Sequence, residues 1–270
     1  MLTKQQNYFF ILLVIFLGSL FVLNFIPPIN ALFVMVFSVV LFLYQYFLQK
    51  NKPLGFYFYW FAAIVLGLAI GLYRPAGFNY PLVLSVNQLY AGGLPFDLFL
   101  NTAKTLTGYC IIILLSSNRH NIGYINSRSQ QLLLVAILSV LVLTTAYTLL
   151  DLQIHIKTLQ YILTFGVVNL LATCVSEEAF MRWLLQAQIQ GFFARRIKHK
   201  FWQELLSLVI TTVIFVAIHF AHNPDTIIVF ALAGFAYGLV YTLTKSLLAA
   251  IAVHFIVNII HFSLLTYPVV

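Results

Sequence analysis

Charged residues are scarce in this sequence. Asp, Glu, Lys and Arg make up 7% of the 270 residues, whereas an ordinary soluble domain has about 25%. Hydrophobic residues make up 62%, which excludes a soluble globular domain and predicts an all-α, polytopic transmembrane helical bundle. The 14 basic residues outnumber the 6 acidic ones, but all except Lys104 and Arg182 lie in short segments between apolar runs, so they indicate membrane topology and not a nucleic-acid partner.

Residues that would indicate a disulfide framework, a metal site or a serine nucleophile are also missing. The two cysteines, Cys110 and Cys174, both lie in apolar runs, so we expect no disulfide framework. The sequence has no His-Glu-x-x-His, no Cys-x-x-Cys, no cluster of Asp and no Gly-x-Ser-x-Gly. We therefore expect neither a metal nor a cofactor, although metal-assisted hydrolysis with Glu and His ligands stays the rival chemistry.

Apolar runs close to the ~20 residues needed to cross a bilayer follow one another along the chain. The segment 76–95, which is mixed in composition, is expected to be an external loop, with a helix lying in the membrane interface as one option. We predict about eight to nine spans, the fourth with Asp97 near one end and Lys104 inside. The runs cover about 8–26, 31–48, 56–73, 96–115, 132–150, 161–190, 205–221, 226–244 and 246–267.

The charges between these runs predict an orientation, because Lys and Arg accumulate on the cytoplasmic side. With the N-terminus cytoplasmic, the outer side carries only Arg74 and Lys157 as basic residues, with Asp97, Asp151 and Asp225 near its boundaries. We therefore predict an integral protein of the plasma membrane (the inner membrane in a prokaryote). The inner side then holds Lys4, Lys50, Lys52, Arg119, Arg128, Arg195, Arg196, Lys198, Lys200 and Lys245.

Two adjacent carboxylates, Glu177 and Glu178, lie inside the sixth run. A charge near the bilayer centre costs about 3 kcal/mol on insertion scales, so such residues are typical of functional sites. Arg182 lies four residues after Glu178, which on a helix pairs these two side chains on one face. Glu177 is rotated about a quarter turn away and becomes the candidate base. The alternative is an ion pair that only fixes helix packing.

Further polar residues lie in the seventh and ninth runs. His219 is in the seventh, with His222 just beyond it, and His254 and Asn258 are four residues apart in the ninth, with His261 one turn further. At 1.5 Å per residue, Glu177, His219, His254 and Asn258 lie roughly 12–21 Å from the inner ends of their runs. Helices that run in opposite directions therefore bring them to a common level.

A carboxylate with an imidazole can activate water for attack on a carbonyl, and a second imidazole with an amide can donate to the resulting oxyanion. These residues therefore favour a hydrolase. Proton-coupled transport also uses intramembrane carboxylates, but the runs show no inverted repeat that would support a transporter.

Three motifs occur in order: Glu177-Glu178-x-x-x-Arg182, Phe215-x-x-x-His219 and His254-x-x-x-Asn258. Together with Gly234-x-x-x-Gly238, Tyr241 and Lys245-Ser246-Leu247 they resemble the CPBP family, the CAAX proteases and bacteriocin-processing proteins, also called Abi. The resemblance covers about 163–260. One departure is Trp183, where many members have glycine.

The resemblance implies a metal-independent intramembrane glutamic endopeptidase, similar to CAAX prenyl endopeptidases. In it Glu177 with His219 would activate water, His254 and Asn258 would stabilise the oxyanion, and Glu178 and Arg182 would support the site. The expected partners are the lipid bilayer and a peptide or membrane-protein substrate, with or without a lipid group. The alternative is a non-catalytic bacteriocin-immunity or regulatory membrane protein.

The same resemblance suggests how the chain is divided. We expect N-terminal transmembrane helices over residues 1–160 and a catalytic CPBP-like core over residues 161–270. Gly234 and Gly238 predict a close contact between two helices.

Overall fold

The computed structural model describes residues 4–116 and 123–267, without the side chains of 4–7. This part of the chain contains nine helices. Their bounds are α1 Lys4–Val22, α2 Pro28–Gln49, α3 Pro53–Leu72, α4 Thr102–Leu115, α5 Arg128–Leu149, α6 Leu159–Ala194, α7 Lys200–Ile218, α8 Pro224–Thr244 and α9 Leu247–Leu264.

Seven of these helices, α2, α3 and α5–α9, are long and apolar enough to cross a membrane. The apolar parts of the other two, Tyr8–Val22 and Thr102–Leu115, are shorter. The predicted all-α transmembrane class is therefore confirmed, and the protein is an integral membrane protein. The count of eight to nine spans and the cytoplasmic N-terminus stay predictions, and Arg119 lies outside the described residues.

The predicted start of the fourth span is wrong. A fourth span beginning near residue 96 was expected, but strands β1 (Leu82–Val86) and β2 (Phe96–Phe99) pair there, and 76–95 contains no helix. Asp97 accepts a hydrogen bond from Ser85 at 2.6 Å within this hairpin. Asn101 caps the first turn of α4 by accepting from the Lys104 backbone N–H at 3.0 Å. The helix therefore begins at Thr102, and its 14 residues span only about 21 Å.

The chain forms two compact units. The first contains α1–α4, where α2 packs on α3 and α4 around buried side chains such as Phe37, Leu41 and Ile111. The second contains the segment Leu84–Leu98 and α5–α9. Within it α8 packs on α7 and α5, and α9 packs on α5, α6 and α8. All the candidate site residues belong to this second unit.

Local sequence explains where the last helices begin. Asn223 caps α8 by accepting from the Asp225 N–H at 2.9 Å, and Pro224 occupies the first helical position, where its missing N–H costs nothing. Lys245 ends α8 in the left-handed conformation (φ 53°). Ser246 then caps α9 by accepting from the Ala249 N–H at 3.2 Å. The tight turn lets α9 fold back along α8.

Helix α6 is unusual in length and in winding. Its 36 residues extend about 54 Å, more than the ~30 Å thickness of a bilayer core. Asn169–Cys174 and Ala179–Gln186 are π-helical, and the α-helical turn Val175–Glu178 lies between them. Hydrogen bonds from i to i+5 underwind a helix, and such stretches are frequent at functional sites. Both glutamates therefore lie on a turn whose neighbours have altered winding.

Candidate active site

Glu178 is completely buried and uses both carboxylate oxygens. Its Oε2 accepts from Arg182 Nε at 2.7 Å, so the i, i+4 ion pair expected from the sequence is present. Its Oε1 lies 2.9 Å from His254 Nδ1 on α9. Because an ionised carboxylate can only accept, Nδ1 of His254 carries the hydrogen. Glu178 therefore fixes both the arginine and the imidazole.

Arg182 extends the chain of hydrogen bonds from Glu178 along α6. Its Nη1 donates to Gln186 Oε1 at 2.7 Å, and Gln186 in turn donates to the Gly238 carbonyl at 3.0 Å and to Thr242 Oγ1 at 2.8 Å on α8. Arg182 is fully buried and Gln186 nearly so. Sequence reasoning missed Gln186, although its place four residues after Arg182 was a usable signal.

Glu177 has a different environment from Glu178. Its side chain is 16% exposed, whereas that of Glu178 is 0% exposed. Glu177 lines a cavity of about 470 Å³, and its Oε2 lies 3.8 Å from His254 Nε2, beyond hydrogen-bond length. Glu177 is therefore the carboxylate of the pair that a molecule in the cavity can reach.

His219 reaches the same cavity from the C-terminal end of α7. Its Nδ1 lies 2.6 Å from the Phe215 carbonyl, which can only accept, so Nδ1 carries the hydrogen. In the neutral ring Nε2 then has the lone pair and is the basic nitrogen. The ring of Phe230 stacks on His219 with centroids 4.6 Å apart. The hydrogen bond to Phe215 and the stacked ring of Phe230 together hold the imidazole in one orientation.

Asn258 completes the set on α9. It lines the cavity, and its Nδ2 lies 3.9 Å from Cys174 Sγ on α6. The ring of Tyr237 on α8 stacks on His254 with centroids 4.6 Å apart. Sequence reasoning missed Cys174 and Tyr237 as neighbours of the site, because both contacts join different helices.

Of the two further histidines noted in the sequence analysis, one lines the cavity and the other does not. His261 lines the cavity, and its Nε2 is 3.1 Å from the Thr266 carbonyl. The side chain of His222 is exposed on the surface. In the described part of the chain, no three or more His, Cys, Asp or Glu side chains form a group that could hold a metal ion.

Two glycines allow α8 to lie close to its neighbours. A Cβ added to Gly238 would lie 2.7 Å from Arg182 Nη1 and would also collide with Leu208 of α7. A Cβ added to Gly234 would lie 2.8 Å from a ring carbon of Phe215. The predicted close helix contact is therefore confirmed, and through it the backbone of α8 packs directly against the buried Arg182 side chain.

These features define a class: an integral membrane protein with carboxylate, histidine and asparagine side chains lining one cavity among its last helices. Residues 158–260 match a family model described as type II CAAX prenyl endopeptidase Rce1-like. The resemblance expected from the sequence is thereby confirmed over these residues. The region includes all six candidate residues. No curated protein and no solved structure matches the chain.

Proposed function

We propose that the protein is an intramembrane endopeptidase that hydrolyses a peptide bond with a water molecule activated by Glu177 and His219. One observation carries the proposal: Glu177, His219, His254 and Asn258, from three different helices, line one cavity. The family match over residues 158–260 supports a protease of the CAAX type.

Glu177 is the general base in this mechanism, with His219 as its partner. The deprotonated carboxylate takes a proton from water while the water oxygen attacks the peptide carbonyl carbon. The proton then passes to the leaving amine as the C–N bond breaks. The basic Nε2 of His219 can accept a hydrogen bond from the same water, because Nδ1 is committed to the Phe215 carbonyl.

His254, with a hydrogen on each ring nitrogen, and Asn258 stabilise the oxyanion that forms on the carbonyl: the Nδ1–H of His254 is held by Glu178, and its Nε2–H donates to the oxyanion. Donors fixed in place before the reaction are usually the largest electrostatic contribution to acyl-transfer catalysis. Glu178 and Arg182 support the site without touching the substrate. Glu178 holds His254 at 2.9 Å, and Arg182 compensates the charge of Glu178 in a region from which water is excluded.

The remaining cavity lining favours an apolar substrate segment. It includes Val142 and Ala146 of α5 and Val229, Phe230 and Ala233 of α8. A peptide or a membrane-protein segment, with or without a lipid group, fits this chemistry.

Hydrolysis by the purified protein tests the proposal. The protein in lipid vesicles is given three internally quenched peptides: one farnesylated near its C-terminus, the same peptide without the lipid, and a hydrophobic leader peptide. We expect wild type to cleave at least one, and Glu177→Gln to cleave none.

Glu204→Gln is the matched control. Glu204 is a buried carboxylate, 3.2 Å from Lys245 Nζ, but it does not line the cavity. This variant should keep its turnover. Full activity in Glu177→Gln at normal abundance would contradict the mechanism. If wild type cleaves none of the peptides, the non-catalytic immunity or regulatory function takes its place.

A further inference from the structure

Cys174 joins two asparagines that line the cavity. The thiol is completely buried, and Sγ donates to Asn169 Oδ1 at 3.1 Å. From the other side, Asn258 Nδ2 of α9 donates to the same sulfur at 3.9 Å. Asn169 and Asn258 both line the cavity, so the thiol bridges two side chains that face it.

The π-helical winding of α6 makes the first of these contacts possible. Asn169 and Cys174 are the first and last residues of one π-helical stretch and are five positions apart. In an α-helix, side chains three or four apart are neighbours. In a π-helix the backbone hydrogen bonds run from i to i+5, which brings this pair into register. The altered winding thus has a defined consequence at the site.

The direction of the hydrogen bonds decides how the Asn258 amide is turned. The Oδ1 of Asn169 can only accept, so the single S–H hydrogen goes to it. The sulfur then offers only lone pairs to Asn258, and the partner that suits them is Nδ2 and not Oδ1. One N–H of Asn258 is used by Cys174, and the second N–H remains for another acceptor.

We propose that Cys174, held by Asn169, is a positioning residue that selects the amide orientation in which Asn258 presents an N–H to the cavity. The inference rests on the proposed function, because an oriented N–H matters when a carbonyl oxygen becomes an oxyanion. Cys174 does not itself react: its side chain is fully buried and is not part of the cavity lining. Its effect passes through Asn258.

Infrared spectroscopy tests the contact without any substrate. In a Cys110→Ala background Cys174 is the only thiol, so a single S–H stretching band remains. We expect Asn169→Leu to shift this band to higher frequency, because the S–H group loses its acceptor. Asn258→Ala should shift it as well, because the sulfur loses a donor. A band that is the same in all three proteins overturns the proposal.

Kinetics test the consequence with the internally quenched farnesylated peptide. We expect Cys174→Ala to lower kcat about three- to tenfold, the typical effect of one neutral hydrogen bond, with KM unchanged. Cys174→Ser, which keeps one donor and the acceptor lone pairs, should recover most of the loss. In an Asn258→Ala background Cys174→Ala should have no further effect, because coupled residues are not additive.

A buried cysteine outside this network is the control. Cys110 lies in the first unit, where Ser38 donates to its sulfur at 3.3 Å. Cys110→Ala should therefore leave kcat unchanged.

The outcomes separate the inference from the proposed function. If Asn258→Ala lowers kcat but the effects of Cys174→Ala and Asn258→Ala are additive, the positioning role fails and the proposed function stands. If no variant at Glu177 or Asn258 affects hydrolysis, or wild type does not cleave the peptide, the proposed function fails. In that case the infrared bands alone decide whether Cys174 orients the amide.

Discussion

The Nδ1 atom of His254 lies 2.9 Å from Oε1 of Glu178, and this contact ties α9 to α6 inside the bundle. It holds the ring so that Nε2 faces Glu177 at 3.8 Å. One glutamate therefore orients the imidazole, and the other shares the cavity with it. The adjacent carboxylates differ in environment: Glu178 is fully buried and paired with Arg182, and Glu177 lines the cavity.

Glu178→Gln should destabilise the protein. The substitution leaves the fully buried Arg182 without its counter-charge and weakens the contact with His254. Removing one partner of a buried ion pair costs about 3–5 kcal/mol. Glu177→Gln, by contrast, should unfold like wild type. Denaturant titration in detergent micelles, followed by circular dichroism, measures both, and equal stability of the two variants would contradict the assignment.

Asn258→Ala should act on the chemical step. Loss of one oxyanion donor lowers kcat by about 10²–10³, with little change in KM. If Asn258 were only a packing residue, its loss would cost about 0.6–2 kcal/mol of stability and leave turnover intact. Asn223→Ala is the control. It removes the side chain that caps α8, which costs ~1 kcal/mol of stability, but Asn223 does not line the cavity, so turnover should be unchanged.

Gly238→Ala should destabilise the contact of α8 with α6 and α7. The added methyl would lie 2.7 Å from Arg182 Nη1 and would collide with Leu208. Overpacking of this kind costs about 1–3 kcal/mol. Gly191→Ala is the matched control, because a Cβ there meets nothing within 4 Å, and alanine favours a helix by up to ~1 kcal/mol. The same unfolding measurement should show opposite signs for the two substitutions.

Chelators should leave peptide hydrolysis unchanged. In the proposed mechanism Glu177 and His219 activate the water, so no ion is needed for its deprotonation. Elemental analysis of the purified protein should find no stoichiometric zinc. Activity that is lost with a chelator and restored by zinc would assign His219 and His254 as ligands instead.

Stability should depend on pH through Lys157, between α5 and α6. Burial lowers the pKa of Lys157 from 10.5 to about 8, and its Nζ lies 5.0 Å from the centroid of the Tyr90 ring. Between these two pKa values the unfolded chain binds more protons than the folded one, so the free energy of unfolding should rise with pH there. Below about pH 8 both states are protonated and this slope disappears. Unfolding titrations at several pH values should show that Lys157→Met removes this rise.

Much of the site could be predicted from sequence because it depends on local spacing. Residues four apart on a helix meet, which predicts the pairing of Glu178 with Arg182 and places His254 and Asn258 on one face. The residue types also predict the chemistry, since few groups other than carboxylates, imidazoles and amides activate water and stabilise an oxyanion. The division of the chain at residue 160 and the catalytic roles stay predictions.

The segment before α4 could not be predicted from hydropathy. The run from residue 96 is apolar enough for a span, but Ser85 and Asp97 pair across a hairpin, and Asn101 fixes the start of the helix. A hydropathy window averages over such contacts and cannot detect them.

The sequence alone determined that the protein is embedded in a membrane, because the free energy of transferring a segment into lipid depends on its composition over ~20 residues. It also determined which polar residues form the candidate site. The tertiary structure decided which imidazole atom faces which carboxylate, that Glu177 is the glutamate exposed to the cavity, and that Cys174 lies between Asn169 and Asn258. These contacts join separate helices or depend on a π-helical stretch, and both arise from the packing of whole helices against one another.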